Sequence, residues 1–169
     1  MKNTILGTVA VVLITSAISF FAPDKKLKQK ITLDKSIKVL NFTNNTKSDT
    51  TINIICQILK VKNVTIIVVP IVNEDEKQML GYIQRRGDIY LMRIQDNLTD
   101  DLLLEVYVHE LWHLMDYESG KLKKVSYGYQ YGKFTYSYET PYFSRPFELI
   151  AFENEFRLKN EYYTKMKSH

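Results

Sequence analysis

The sequence predicts an α+β domain: a small mixed sheet with an edge hairpin, packed on a buried helix and followed by a C-terminal helix. Three observations carry this. Val64-Thr65-Ile66-Ile67-Val68-Val69 is a short run of β-branched residues, the composition of a buried strand. Residues 79–84 and 89–94 read as two more strands, joined at Arg86-Gly87-Asp88 in a hairpin signal. From Thr99 onward, a long segment is apolar nearly all round, which marks a helix with no solvent face. With 169 residues and 45% hydrophobic content, the chain has the size and composition of one globular domain.

The elements follow in order. Residues 1–23 read as a signal peptide or membrane anchor. Lys2 precedes an uncharged stretch over 3–22, near the length of a membrane span, with small residues at Ala17 and Ser19 spaced for cleavage. Both readings stay open, as does the side of the membrane. Lys25, Lys26, Lys28 and Lys30 favour a cytoplasmic domain, whereas signal-like order favours export. Residues 24–48 read as a linker with a first strand around 37–40. From 49 to 169 the chain reads as the main domain. Asp49 or Thr50 is the expected cap of a helix carrying Ile52, Ile55, Ile58 and Leu59 at helical spacing. Asn73 to Lys77 is a charged turn. Thr99 is the expected cap of the long helix, with Asp100 and Asp101 favourable at its positive end. Ser119-Gly120 stops it. Residues 118–143 carry alternating tyrosines, Tyr127, Tyr129, Tyr131, Tyr136, Tyr138 and Tyr142, consistent with a strand pair or a flap over a cleft, the strand pair being preferred. Pro146 suits the first turn of a last helix running towards Tyr163.

Charge and cysteine usage exclude some functions. The net charge of +4 is spread out, with no basic stripe interleaved with aromatics, so no nucleic-acid partner is expected. Cys56 is the single cysteine and cannot close an intramolecular disulfide. Its apolar neighbours predict a buried, inert thiol. The Asn-x-Thr/Ser sequons at Asn41, Asn44, Asn63 and Asn97 fit chance in a chain rich in these residues.

One motif carries chemistry. Residues His109-Glu110-Leu111-Trp112-His113 spell H-E-x-x-H within the long helix. Positions i and i+4 lie on one helix face, so two imidazoles can share one metal ion. Glu110 falls about 100° round the axis, beside the metal, where a general base for a water nucleophile belongs. Two buried histidines and a carboxylate without a partner cost on the order of several kcal/mol, and a metal removes that cost. The chain has three histidines, and the third, His169, is terminal.

A catalytic zinc takes three protein ligands and leaves one open position. Asp116 and Ser119 occupy the places where a local third ligand pattern would put Gly and His or Asp, so the ligand must come from elsewhere. Glu148 in the last helix ranks first, since Ala151 one turn on allows close helix approach. Glu155, two turns from Glu148 on the same face, and Glu153 rank behind it.

His-Glu-Leu-Trp-His on a buried helix, followed by a glutamate on a later helix, resembles the gluzincin division of the zincin metallopeptidases. Arg145-Pro146-Phe147-Glu148-Leu149-Ile150-Ala151 is similar to the Pro-Phe-Glu-x-x-Ala segment of small bacterial and phage zincin-like proteins. Asp116, three residues after His113, is similar to the His-Glu-x-x-His-x-x-Asp form of lethal-factor-like endopeptidases. The resemblance covers roughly residues 50–165. Trp112 departs from it, standing where a small residue is common, and would reshape the cleft. The resemblance implies a zincin-like fold and a Zn2+ cofactor held by His109, His113 and Glu148. It implies peptide-bond hydrolysis by a zinc-bound water with Glu110 as general base. Tyr142, or behind it Tyr138, is the expected oxyanion donor, and Asp116 could orient an imidazole. The strand over 89–94 is expected to pair with an extended peptide substrate as an edge strand. The alternative is a catalytically silent zincin-like binding module tethered to the membrane. Peptide deformylase shares H-E-x-x-H but uses a cysteine ligand, and Cys56 lacks its Glu-Gly-Cys setting.

Overall fold

A computed structural model of the chain describes residues 32–73 and 78–168. The expected signal or anchor over residues 1–23, and residues 74–77 of the charged turn, lie outside them. Among the described residues no helix is long and apolar enough to cross a membrane.

The architecture is α+β, with two small sheets and three α-helices among the described residues. Strands β1 (Ile37–Asn41), β2 (Val64–Pro70), β3 (Gly81–Arg86) and β4 (Ile89–Ile94) form a mixed sheet in the order β1-β2-β4-β3. The first three in that order run parallel, and β3 returns antiparallel to β4 through the Gly87 turn. Gly87 takes a φ of 62°, the left-handed conformation that the tight turn needs and that glycine adopts without penalty. The expected role of residues 89–94 as an edge strand is therefore corrected. β4 pairs with β2 on one side and β3 on the other, which engages both its edges, and the outer strands of the sheet are β1 and β3.

Alternation sorts the sheet residues. Val64, Ile66 and Val68 of β2 and Tyr90, Met92 and Ile94 of β4 point to one face and are buried there. That face packs against helix α1 (Ser48–Ile58) and helix α2 (Asp100–Glu118). Helix α1 begins two residues earlier than the expected caps allow. Lys47 occupies the cap position without a side-chain bond, so Asp49 sits inside the first turn as a favourable charge rather than a cap. Thr99 caps α2 as expected, accepting a bond from the Leu102 amide at 3.4 Å. Gly81 is where α2 meets β3. A Cβ there would lie 2.5 Å from Cγ1 of Val106, so only glycine lets the helix lie this close to the sheet edge.

Residues 122–137 form three strands where a pair was expected: β5 (Leu122–Val125), β6 (Gly128–Tyr131) and β7 (Phe134–Ser137), all antiparallel. Gly132, at φ 58°, supplies the second turn. A single 3-10 turn, Tyr142–Ser144, leads into helix α3 (Pro146–Lys167), which packs across α1 and α2. Cys56 is fully buried in α1, and burial pushes its thiol up to about 12, as an inert structural residue.

Candidate metal centre

Helix α2 supplies the first two groups. His109 and His113 lie one turn apart on its buried side, facing α3. Helix α3 supplies the third. The Arg145 guanidinium bonds the carbonyls of Thr140 and Tyr138 at 2.9 and 3.0 Å, which ties the end of the small sheet to the helix start. Pro146 then opens α3, and Glu148 falls in its first turn, where the positive helix end favours a carboxylate. Ala151, fully buried one turn later, is the small residue that permits close contact with α2.

The three groups meet at one point. Glu148 Oε2 lies 3.1 Å from His109 Nε2 and 3.0 Å from His113 Nε2, and the two Nε2 atoms are 3.1 Å apart. All three residues are at least 93% buried, and together they could hold a metal ion. The spacing passes a geometric check. A tetrahedral ion with bonds of about 2.0–2.1 Å separates its ligand atoms by about 3.3 Å. The observed triangle is within a few tenths of an ångström of that edge. The donor set of two imidazoles and one carboxylate also suits a borderline-soft divalent cation.

Hydrogen bonds link the groups of the cluster and shift their titration. Burial pulls the His109 pKa down, but bonds to Glu148 and Glu155 and the charges of Glu110 and Glu148 outweigh it and lift the ring to about 10. Burial pushes Glu148 up, while bonds from His109 and His113, with the His113 charge, hold it down at about 2. Glu110 is buried beside the triad. Burial raises its pKa against the opposing charges of His113 and His109, and the Ile83 amide of edge strand β3 bonds its carboxylate.

Tyr142 also reaches the centre, its hydroxyl 3.1 Å from His109 Nε2. Burial raises its pKa strongly, with the neighbouring Glu148 charge adding to it, so it stays a protonated donor. Tyr138 does not join; its hydroxyl bonds the Val125 carbonyl inside the small sheet. Glu153 is exposed. Glu155 approaches from the other side, with Oε1 2.8 Å from His109 Nδ1. Asp116 is fully buried one turn beyond His113, yet neither of its oxygens, nor Nδ1 of His113, has a hydrogen-bond partner among the described residues. Burial raises the Asp116 pKa, with Lys121, His113 and Tyr131 pulling the other way. The Trp112 indole is partly buried, with the Arg157 guanidinium of α3 5.7 Å from its ring centre.

Two features lie beyond the sequence reading. Phe152 packs edge-on against His109 at 4.7 Å and stacks on Phe143 at 6.1 Å, and both phenylalanines remain exposed, forming an aromatic rim at the centre. Phe152 is four residues after Glu148, so its place on the same helix face was available as a signal. The Ile83 amide gave no signal, because it depends on how α2 crosses β3. Compared with protein-family models, curated proteins and solved structures, the chain matches none.

Proposed function

We propose that this protein is a zinc-dependent peptidase of zincin-like fold, with His109, His113 and Glu148 as the metal ligands and Glu110 as the general base. The observation that carries this reading is the convergence of two Nε2 atoms and one carboxylate oxygen within 3.1 Å of each other, with a second buried carboxylate alongside. A Zn2+ ion held there would act as a Lewis acid that makes water nucleophilic at neutral pH and polarises a carbonyl. Glu110 takes the proton of the attacking water and delivers it to the departing amine. Its raised pKa suits both halves of that task. Tyr142, held protonated at the centre, donates its hydroxyl hydrogen to the oxyanion that forms on the peptide carbonyl. Strand β3, an outer strand of the sheet, offers backbone groups to an extended peptide lying beside Glu110.

Glu110→Gln tests the assignment. The variant keeps its zinc and loses peptide hydrolysis by about 10²- to 10⁴-fold, the usual contribution of a general base. Zinc binding by the wild-type with no hydrolysis of any peptide in a diverse peptide library would favour the silent binding module instead.

A further inference from the structure

Helix α3 brings two carboxylates to a single imidazole. Residues seven apart on an α-helix return to within about 20° of the same face, so Glu148 and Glu155 both look towards α2. Their targets differ. Glu148 reaches Nε2 of His109 at 3.1 Å, and Glu155 reaches Nδ1 of the same ring at 2.8 Å. His113 has no counterpart, since its Nδ1 is buried without a partner among the described residues.

A neutral imidazole has one N–H and one lone pair, and the environment decides which nitrogen carries which. A metal ligand must turn its lone pair to the ion. We propose that Glu155 is a positioning residue for the metal centre: it accepts the Nδ1 hydrogen of His109, which leaves the Nε2 lone pair aimed at the point shared with His113 and Glu148. This rests on the metal-site reading above. The carboxylate also pulls on the N–H and makes Nε2 the stronger donor. Glu155 does not serve as a ligand, because its near oxygen is committed to Nδ1, the nitrogen that faces away from Glu148. The bond fixes ring rotation too, so His109 is set before an ion arrives, whereas among the described residues His113 is hydrogen-bonded at Nε2 and not at Nδ1.

The test measures Zn2+ affinity of the full-length chain by competition with a chromogenic chelator, for the wild-type, Glu155→Gln and Glu155→Ala. The Co2+ absorption spectrum of each is recorded alongside. The Glu155 side chain is one-fifth exposed, so its truncation opens no sealed cavity, and Glu155→Gln carries the test should the alanine variant not fold. The expected result is about one Zn2+ per chain throughout, unchanged Co2+ bands, and affinity lower by about 10- to 100-fold in Glu155→Ala. Glu155→Gln, whose amide oxygen still accepts from Nδ1–H, loses less. Unchanged affinity in Glu155→Ala overturns the positioning role and leaves the metal centre standing. A shifted Co2+ spectrum, or loss of stoichiometric zinc, makes Glu155 a ligand and also overturns it. No zinc uptake by the wild-type overturns the metal centre itself, and this proposal with it.

Discussion

The mixed sheet and the seam between α2 and α3 are both buried, but they are built from opposite materials. Under the sheet lie Ile66, Val68 and Met92, with no exposed surface and no polar atom to satisfy. In the seam lie His109, Glu110, His113, Asp116 and Glu148, five titratable side chains at least 93% buried. Apolar burial under the sheet stabilises the fold directly, at about 25 cal/mol per Å². The seam removes charges from water, and that cost is offset by the hydrogen bonds among His109, His113 and Glu148 or by an ion. Helix α2 therefore has two jobs on two faces. One face is glued to the sheet, and the other holds groups that are stable only in one arrangement.

Breaking the sheet side gives the largest effect on stability. Met92→Ala is expected to cost about 2–5 kcal/mol in urea denaturation, by the same amount with and without Zn2+, because Met92 belongs to the sheet and supplies no metal ligand.

The seam responds to Zn2+ and to pH. Zinc at about 100 times its dissociation constant is expected to raise wild-type stability by about 2.7 kcal/mol. The same addition leaves Glu148→Gln unmoved. In the metal-free protein the His109 pKa is raised from 6.5 to about 10, so its contribution is full below pH 6.5 and is lost as pH rises through 10. The Glu148 pKa is lowered from 4.5 to about 2, so its contribution is full above pH 4.5 and is lost as pH falls through 2. Both contributions are complete between pH 4.5 and 6.5. Because His109 holds a proton at neutral pH and Glu148 does not, zinc uptake at pH 7.5 is expected to release about one proton from the pair, seen with a weakly buffered indicator dye. Affinity then rises with pH. Uptake without proton release would show that His109 is neutral in the metal-free seam.

Thr99→Ala gives the smallest effect. Its cap bond is long at 3.4 Å, so the loss is expected near the low end of the cap range, about 0.5–1 kcal/mol. Thermal denaturation should show it adding to Met92→Ala, since the cap and the cavity share no contact.

Local chemistry was legible in the sequence, and relations between distant elements were less so. His109, Glu110 and His113 announce themselves because three residues on one helix need no knowledge of the fold. Glu148 was legible through its neighbours, with Pro146 marking a helix start and Ala151 a close approach. Glu155 is legible as a residue on the same helix face as Glu148, but its contact with Nδ1 of His109 is not, because which edge of the ring it meets depends on the crossing of α2 and α3. The hairpin signal paired β3 with β4 but could not say which of them lies against β2. That choice is set by the parallel register Ile66 with Tyr90 and Val68 with Met92, which buries one continuous apolar face. The tyrosine alternation showed strands, but Gly132 as a second turn, and so a third strand, was hidden in a polar stretch.

The most direct test is zinc stoichiometry of the purified full-length chain beside His109→Ala and Glu148→Ala. The account predicts about one Zn2+ per wild-type chain and near none in either variant, with all three folded by circular dichroism. A folded wild-type chain that takes up no zinc, or a Glu148→Ala variant that keeps it, would contradict it.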